Sequence, residues 1–307
     1  MIVLIIGLGS ISKKHINALN KDYNNIEFYA LRSGKNNISE ENVIDVNNIK
    51  DLKVKPDFVI ISNPTNLHYS TIELMLNLKI PMFIEKPPFH TLIGVEKLLN
   101  SIVESKILNY VACNLRFHPC IMYLKNTLDK NINLINEVNI YCGSYLPDWR
   151  PTINYKDVYS SQKNKGGGVH LDLFHEVDFI YWIFGQPDTI YNHLSNKSTL
   201  NIDSYDYANY ILGYKNFNIS LILNYYRIDK KRCIEIVFKD ETLFIDLLTC
   251  KITNDNGIII FEDNNFDILN TYKDQMKYFI QHLRNKTIPM NTLEESINAL
   301  KITLVNE

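Results

Sequence analysis

The stretch Ile2-Val3-Leu4-Ile5-Ile6-Gly7-Leu8-Gly9-Ser10-Ile11-Ser12 decides the fold of this chain. Its short apolar run suits a central strand of a parallel sheet, which is buried on both faces. The pattern that follows is G-x-G-x-x-S, in which Gly7 can form a tight turn and Gly9 lets a phosphate approach the backbone. Ser12 replaces the third glycine and is small enough for close helix–strand packing. A helix after this turn would direct its N-terminal N–H groups at the phosphate, so the stretch predicts dinucleotide binding. The alternative is a glycine turn with a purely structural role.

Composition limits the class of protein. At 307 residues, two domains are expected, and 46% apolar with 21% charged residues is the profile of an ordinary globular protein. The net charge of -2 shows no excess of basic residues of the kind that nucleic-acid binding requires. The start of the chain lacks the features of a signal peptide, and no apolar run reaches the roughly 18 residues of a membrane span. Five cysteines without a C-x-x-C pair indicate reduced thiols rather than a disulfide or zinc framework. We therefore expect a cytoplasmic protein without a metal site, a membrane partner or a nucleic-acid partner.

Strand-like and helix-like segments alternate in the first part of the chain. Strands are predicted at residues 26–31, 57–62, 82–84 and 110–112, and helices at 67–78 and 91–105. Such alternation predicts a doubly wound parallel sheet with right-handed crossovers. We assign residues 1–118 to this Rossmann domain.

The remainder of the chain has a different pattern. Strands are predicted at residues 138–145, 207–214, 218–226, 233–239 and 242–247, joined by short turns, and helical spacing returns at 272–283 and 292–305. Residues 119–307 are therefore expected to form an α+β domain with a large, mostly antiparallel open sheet, whose last helices pack back on the first domain. The fold class is α/β.

Two motifs carry candidate catalytic groups. Lys86 follows the strand at 82–84, and ligands of doubly wound sheets bind at the carboxyl ends of the strands. It could therefore transfer a proton or polarise a hydroxyl, although a surface lysine before a proline is the plainer interpretation. Gly166-Gly167-Gly168 precede a predicted helix that runs to about Phe184, and on it Asp172 and His175 would share one face. A histidine beside a carboxylate can move a proton near neutral pH. The structural alternative is that Asp172 lies in the first turn of the helix, where an acidic residue is favourable, and that His175 is an ordinary core residue.

Aromatic and arginine side chains are concentrated in two loops, which span residues 114–119 and 145–151, and Tyr155 follows shortly after them. Aromatic faces with arginine forks suit a sugar ring or an anionic group. Aromatic packing at an interface explains the same composition.

The residues that follow the strand at 26–31 are expected to determine which nicotinamide cofactor is preferred. An acidic residue there would bind the adenosine ribose and select NAD, but the residues are Arg32-Ser33-Gly34-Lys35. Arginine, serine and lysine can all contact a 2′-phosphate. We therefore predict that NADP is preferred over NAD, although a solvated arginine would leave both cofactors usable.

Together these motifs resemble the Gfo/Idh/MocA family of NAD(P)-dependent oxidoreductases. The matching segments are Gly7–Ser12, Asn63-Pro64-Thr65 with His68, Glu85-Lys86-Pro87, and the three glycines followed by Asp172 and His175. Many members separate the last pair by three residues rather than two. The shorter spacing, followed by Glu176-Val177-Asp178, looks like a subgroup whose genes are linked to surface-polysaccharide or nonulosonate pathways.

The resemblance implies site residues. Lys86, Asp172 and His175 would be catalytic, with His175 as general acid and base. The cofactor would contact Gly7, Gly9, Ser10, Ile11, Ser12, Arg32, Ser33, Ser62, Asn63, Pro64, Thr65, His68, Glu85, Lys86, Pro87 and Asn114. The substrate would contact Lys86, Arg116, Tyr145, Trp149, Arg150, Tyr155, Asp172 and His175.

The expected activity is hydride transfer between nicotinamide and a hydroxyl or keto carbon of a sugar or nucleotide-sugar, in polysaccharide biosynthesis. The resemblance also implies a homodimer or homotetramer formed through the second sheet. Two alternatives stay open. One is a glycosidase that oxidises its sugar transiently, and the other is a non-catalytic dinucleotide-binding regulator.

Overall fold

A computed structural model describes residues 1–34, 40–128 and 131–305. Its strands are β1 Ile2–Ile6, β2 Glu27–Leu31, β3 Val43–Val46, β4 Phe58–Ile61, β5 Met82–Glu85, β6 Asn109–Ala112, β7 Ile135–Tyr145, β8 Thr189–Ser195, β9 Tyr207–Gly213, β10 Asn218–Asn224, β11 Tyr226–Phe238, β12 Thr242–Asp246, β13 Lys251–Asn254 and β14 Ile259–Glu262. Its helices are α1 Ser10–Asp22, α2 His68–Asn77, α3 Val95–Ser105, α4 Pro119–Leu128, α5 Val169–Asp172, α6 Phe174–Phe184, α7 Ile268–Asn285 and α8 Leu293–Thr303.

The chain divides into two compact units. The first contains Met1–Asn114 and Leu269–Ile297, and the second contains Leu115–Ile268 and the residues from Asn298 onward. None of the helices in the described part of the chain combines the length and the apolar character needed to cross a membrane.

The first unit contains a parallel sheet in the order β3-β2-β1-β4-β5-β6. This is the order of a dinucleotide-binding fold, and it places the carboxyl ends of β1 and β4 side by side where the winding reverses. Strands β4, β5 and β6 are buried throughout because both faces of the sheet are covered. Phe279 of α7 packs against Phe58 and Phe83, with ring centroids 5.0 and 5.3 Å apart. The predicted doubly wound sheet is therefore confirmed.

The second unit contains an eight-stranded sheet in the order β14-β13-β12-β11-β7-β10-β9-β8. Strands β7 and β10 pair in parallel and the other neighbours pair antiparallel. The predicted large, mostly antiparallel sheet is confirmed. The sequence missed β3, β8, β13 and β14, which are short or lie at sheet edges.

The single helix predicted from the three glycines to Phe184 is wrong. Leu173 has φ -95° and ψ 30°, outside the helical region, so the segment divides into α5 and α6. At the break, the Glu176 N–H bonds the Leu173 carbonyl three residues back, a tighter turn than that of an α-helix. Asp172 therefore ends α5 and His175 stands in the first turn of α6, so the two residues do not share one regular helix.

Candidate active site

Gly7 joins the turns that follow β1 and β4. Its φ is +95°, and a Cβ there would lie 2.3 Å from the Asn63 nitrogen. The Ser62 hydroxyl donates a hydrogen bond of 2.9 Å to the Gly7 carbonyl. Any larger residue at position 7 would push these loops apart, so the first glycine of the motif is required by close backbone approach as well as by its dihedral angle.

Gly9 has a different role at the start of α1. It is the N-cap of that helix, without a side-chain capping bond, and a Cβ there would meet nothing within 4 Å. The first turn, which includes Ser10 and Ile11, holds no acidic residue. Ser12 is buried and donates to the Gly9 carbonyl at 2.7 Å, so it packs close to the turn as expected. Open space before uncapped helix N–H groups fits the pyrophosphate of a dinucleotide.

The end of β2 differs from the sequence prediction in one respect. Arg32 Nη1 lies 3.4 Å from an Asp45 carboxylate oxygen, and the Arg32 side chain is 9% exposed. Asp45 belongs to β3 and is paired with Ala30, so it reaches this end of β2 across the sheet. The expectation that no carboxylate stands here is therefore wrong, because counting along one strand ignores its neighbour. Ser33 is exposed, and Lys35 lies outside the described residues.

His68 connects two of the predicted cofactor loops. Its ring nitrogens lie 3.0 Å from the Asn63 carbonyl and 3.1 Å from the Pro88 carbonyl, and the side chain is fully buried. Burial lowers the pKa of His68. Pro64 precedes the short 3-10 turn Thr65–Leu67 that leads into α2. His68 therefore holds the loops in place, while the backbone around Asn63 is what faces Gly7.

Glu85 ends β5 and is held by a histidine that the sequence did not single out. His15 Nε2 of α1 lies 2.5 Å from Glu85 Oε1, and both side chains are almost fully buried. Lys86 follows as a half-buried residue, joined to the buried Pro87 by a cis peptide bond. A histidine on the apolar face of α1 was the available signal. Glu85 therefore anchors the segment that carries Lys86.

Two predicted binding residues are engaged inside the protein. The Asn114 amide donates to the Thr271 hydroxyl at 2.7 Å in the first unit, and Asn114 is 4% exposed. In the second unit, Arg116 donates from Nε and Nη2 to the two Asp178 oxygens at 2.9 and 2.8 Å, and it is fully buried. The expectation that Arg116 binds substrate is contradicted, because its guanidinium is enclosed and forked onto a carboxylate.

Asp172 is the centre of the polar cluster in the second unit. It is 6% exposed, and its two oxygens accept hydrogen bonds from the hydroxyls of Tyr159 at 2.8 Å and Tyr225 at 2.5 Å. The charge of Asp172 raises the pKa of Tyr159. Burial, together with the same carboxylate, raises the pKa of Tyr225. Both tyrosines therefore remain hydroxyl donors, and neither was found from the sequence, where 19 tyrosines give no distinguishing signal.

The three glycines explain how Tyr159 reaches Asp172. A Cβ on Gly167 would lie 2.1 Å from the Tyr159 carbonyl, and Gly168 has φ +141°. The loop that bears Tyr159 thus crosses the start of α5 at a distance that only glycine permits. His175 is half-buried just beyond the break after α5, and its Nδ1 atom is buried.

The predicted aromatic loop surrounds the same tyrosines. Trp149 is 38% exposed, meets Tyr225 edge-on with centroids 5.4 Å apart, and donates from Nε1 to the Ser144 hydroxyl at 2.9 Å. The Arg150 guanidinium is exposed and lies 5.6 Å from the Tyr159 ring centre. Both side chains are thus brought next to the Asp172 cluster with exposed surface remaining.

The other two predicted substrate residues are less exposed. Tyr145 is half-buried at the end of β7. The Tyr155 hydroxyl donates to the Leu200 carbonyl at 3.1 Å. Tyr155 therefore contributes its ring rather than a free hydroxyl.

Comparison with known proteins supports the resemblance seen in the sequence. Residues 1–112 match the model of the Gfo/Idh/MocA oxidoreductase family, described as an NAD-binding Rossmann fold. A search of curated proteins finds no match.

Solved structures share the fold over the whole chain. Myo-inositol 2-dehydrogenase from Lactobacillus plantarum is 20% identical, with a TM-score of 0.80 over 99% of this chain and 95% of that one. UDP-N-acetylglucosamine 3-dehydrogenase from Acidithiobacillus ferrooxidans is 16% identical, with a TM-score of 0.77 over 99% and 95%. The WlbA dehydrogenase from Bordetella pertussis, solved with NADH and UDP-GlcNAcA, is 14% identical, with a TM-score of 0.79 over 98% and 93%.

Proposed function

We propose that the whole chain is a Gfo/Idh/MocA-type oxidoreductase that transfers hydride between a nicotinamide cofactor and a CH–OH or keto carbon of a sugar or nucleotide-sugar. The observation that carries the proposal is the buried Asp172, which accepts hydrogen bonds from Tyr159 and Tyr225 and lies three residues before the half-buried His175. The open space at Gly9 supports the cofactor half of the proposal.

Hydride transfer, proton transfer and binding of the reacting oxygen are assigned to different groups. A nicotinamide cofactor held by the turns at Gly7, Gly9 and Asn63 would supply the hydride chemistry. In oxidation, His175 accepts the proton of the substrate hydroxyl, and in reduction it returns that proton. The Asp172 carboxylate, fixed by two hydroxyl donors, is held near the start of α6. Lys86 donates a hydrogen bond to the reacting oxygen, and Glu85 with His15 fixes the segment from which Lys86 extends.

Substrate class follows from the groups beside the cluster. The exposed Trp149 ring can stack on a sugar face, and Arg150 can pair with a phosphate or a carboxylate. We propose a nucleotide-sugar, and surface-polysaccharide biosynthesis as the setting. Two of the structures with this fold are a UDP-sugar dehydrogenase and a complex with a UDP-sugar, which supports that choice.

For the cofactor we propose NADP over NAD, on the strength of Arg32 and the exposed Ser33. Because Asp45 partly neutralises Arg32, the preference is expected to be modest. We place the enzyme in the cytoplasm.

We propose that a homodimer or homotetramer forms through the open face of the second sheet. Tyr191 and Ile211 are direct cross-strand partners on that face, and Phe244 lies in the same row. Their exposed fractions of 66, 50 and 44% are high for large apolar side chains.

The test is a turnover assay with each nicotinamide cofactor and a panel of free and nucleotide-linked sugars, followed by absorbance of the reduced cofactor. His175→Ala and Lys86→Ala should lower kcat by roughly 10²–10⁴-fold while cofactor fluorescence titrations stay near wild type. His193→Ala, at an exposed histidine of the same unit, is the matched control and should keep full activity. Unchanged turnover in His175→Ala would remove that residue from the mechanism. Product formed without net change in reduced cofactor would instead indicate the transient-oxidation glycosidase.

A further inference from the structure

Three metal-ligand side chains converge in the second unit, in a group that the proposed reaction does not use. His118 stands directly before α4, Cys120 lies in its first turn, and Cys250 lies between β12 and β13. All three are 0% exposed. One ligand atom from each lies within 4.8 Å of the others, and they are the one such group in the described part of the chain.

The sulfur separation matches that of a tetrahedral thiolate site. Cys120 Sγ and Cys250 Sγ are 3.7 Å apart, far beyond the length of a disulfide bond. Zn–S bonds of about 2.3 Å at the tetrahedral angle place two sulfurs about 3.8 Å apart. The two thiols therefore already hold the spacing that a shared zinc ion requires.

The histidine is oriented for coordination through one particular nitrogen. His118 Nε2 lies 3.0 Å from the Leu247 carbonyl, so it carries the ring proton, and the lone pair is on Nδ1. Ligating histidines usually donate their other N–H to a carbonyl in this way. The Nδ1 atom accepts the Cys120 N–H at a long 3.2 Å, a contact that a metal would replace. Phe266 packs against the ring, with centroids 4.4 Å apart, and helps to fix its orientation.

Charge favours a divalent ion at this place. A divalent ion displaces the two thiol protons and leaves two thiolates and a dication, a group with no net charge, which limits the cost of burial. Soft sulfur ligands with an imidazole select zinc over magnesium or calcium.

We propose that His118, Cys120 and Cys250 bind one zinc ion, which joins the start of α4 to the turn between β12 and β13. Water completes the tetrahedron as fourth ligand. The expectation from cysteine spacing was that the chain has no zinc framework, but spacing rules describe ligands that are close in sequence, whereas these sulfurs are 130 residues apart.

The first test is metal analysis of the full-length protein expressed with zinc and freed of loosely bound ions. About one zinc per chain is expected, with both Cys120→Ser and Cys250→Ser below about a tenth of that value. Cys142→Ser changes another buried cysteine of the same unit and should keep the full amount. Equal zinc content in all four proteins would refute the site.

The second test uses wild type alone, so it does not depend on the folding of a variant. Cobalt(II) added to metal-free protein should produce visible d–d bands of tetrahedral geometry and a near-ultraviolet thiolate charge-transfer band. Absence of the charge-transfer band, or zinc below about a tenth per chain, would overturn the proposal. Titration of the denatured protein should find all five thiols. A loss of two would show that Cys120 and Cys250 form a disulfide instead, and would also overturn it.

Discussion

Replacing Arg116 by alanine is expected to destabilise the second unit rather than to weaken substrate binding. Arg116 and Asp178 are joined by hydrogen bonds of 2.9 and 2.8 Å, and their side chains are 0% and 1% exposed. The guanidinium also lies 5.3 Å from the centre of the Trp182 ring. Without Arg116, the Asp178 carboxylate stays buried with its charge no longer balanced.

The size of the loss follows from that burial. Breaking a buried pair by removing one partner costs about 3–5 kcal/mol of the free energy of unfolding. Arg116→Lys keeps the charge but not the two-pronged fork, so a smaller loss of about 1.5–3 kcal/mol is expected, the value of a charge-assisted hydrogen bond.

The assay is denaturant unfolding of the full chain, followed by circular dichroism, together with the KM of each folded variant. The control is the double variant Arg116→Met with Asp178→Leu, which replaces both charges by apolar groups. It should recover most of the stability, because a well-packed apolar pair is often as stable as the ion pair that it replaces.

The opposite result would restore Arg116 as a substrate-binding residue. In that case Arg116→Ala would lower the free energy of unfolding by less than about 1 kcal/mol, the size of an ordinary surface change. The same variant would show a large rise in KM. Failure of the double variant to recover stability would show that the pair contributes through its geometry rather than its charge balance.

Three further changes test other parts of the molecule. Tyr225→Phe removes one of two hydroxyls on the buried carboxylate and should lower kcat/KM by about 10–100-fold, the value of a hydrogen bond to a charged group, whereas the neighbouring Tyr226→Phe should keep wild-type kinetics. Gly7→Ala should lower the melting temperature or prevent folding, because its Cβ would lie 2.3 Å from a backbone atom. Gly9→Ala should melt like wild type but bind dinucleotide more weakly in fluorescence titrations. Equal effects of the two changes would contradict the separate roles of the two glycines. Asp45→Asn should tighten NADPH relative to NADH, since it removes the negative charge beside the arginine at the end of β2, and an unchanged ratio of dissociation constants would remove Asp45 from cofactor choice.

The order of strands and helices was largely predictable because it depends on local pattern. The apolar run and glycine turn at Ile2–Ile6 and Gly7 predicted β1 and its turn, and alternating patterns predicted both sheets. The three glycines predicted a loop before a helix, and the structure has α5 beginning directly after them. The break at Leu173 was not predictable, because the apolar spacing continues across it and helical periodicity does not register a single non-helical residue.

The side-chain partners at the candidate site depended on the tertiary structure. His15 and Glu85 are 70 residues apart, Arg116 and Asp178 are 62 apart, and Asp172 and Tyr225 are 53 apart. Residue types alone therefore indicated which groups could do chemistry, such as an arginine fork or a histidine beside a carboxylate. Whether a charged side chain faces a ligand or a buried counter-charge is decided by which strand or helix the fold places beside it, and that neighbour leaves no mark in the local sequence.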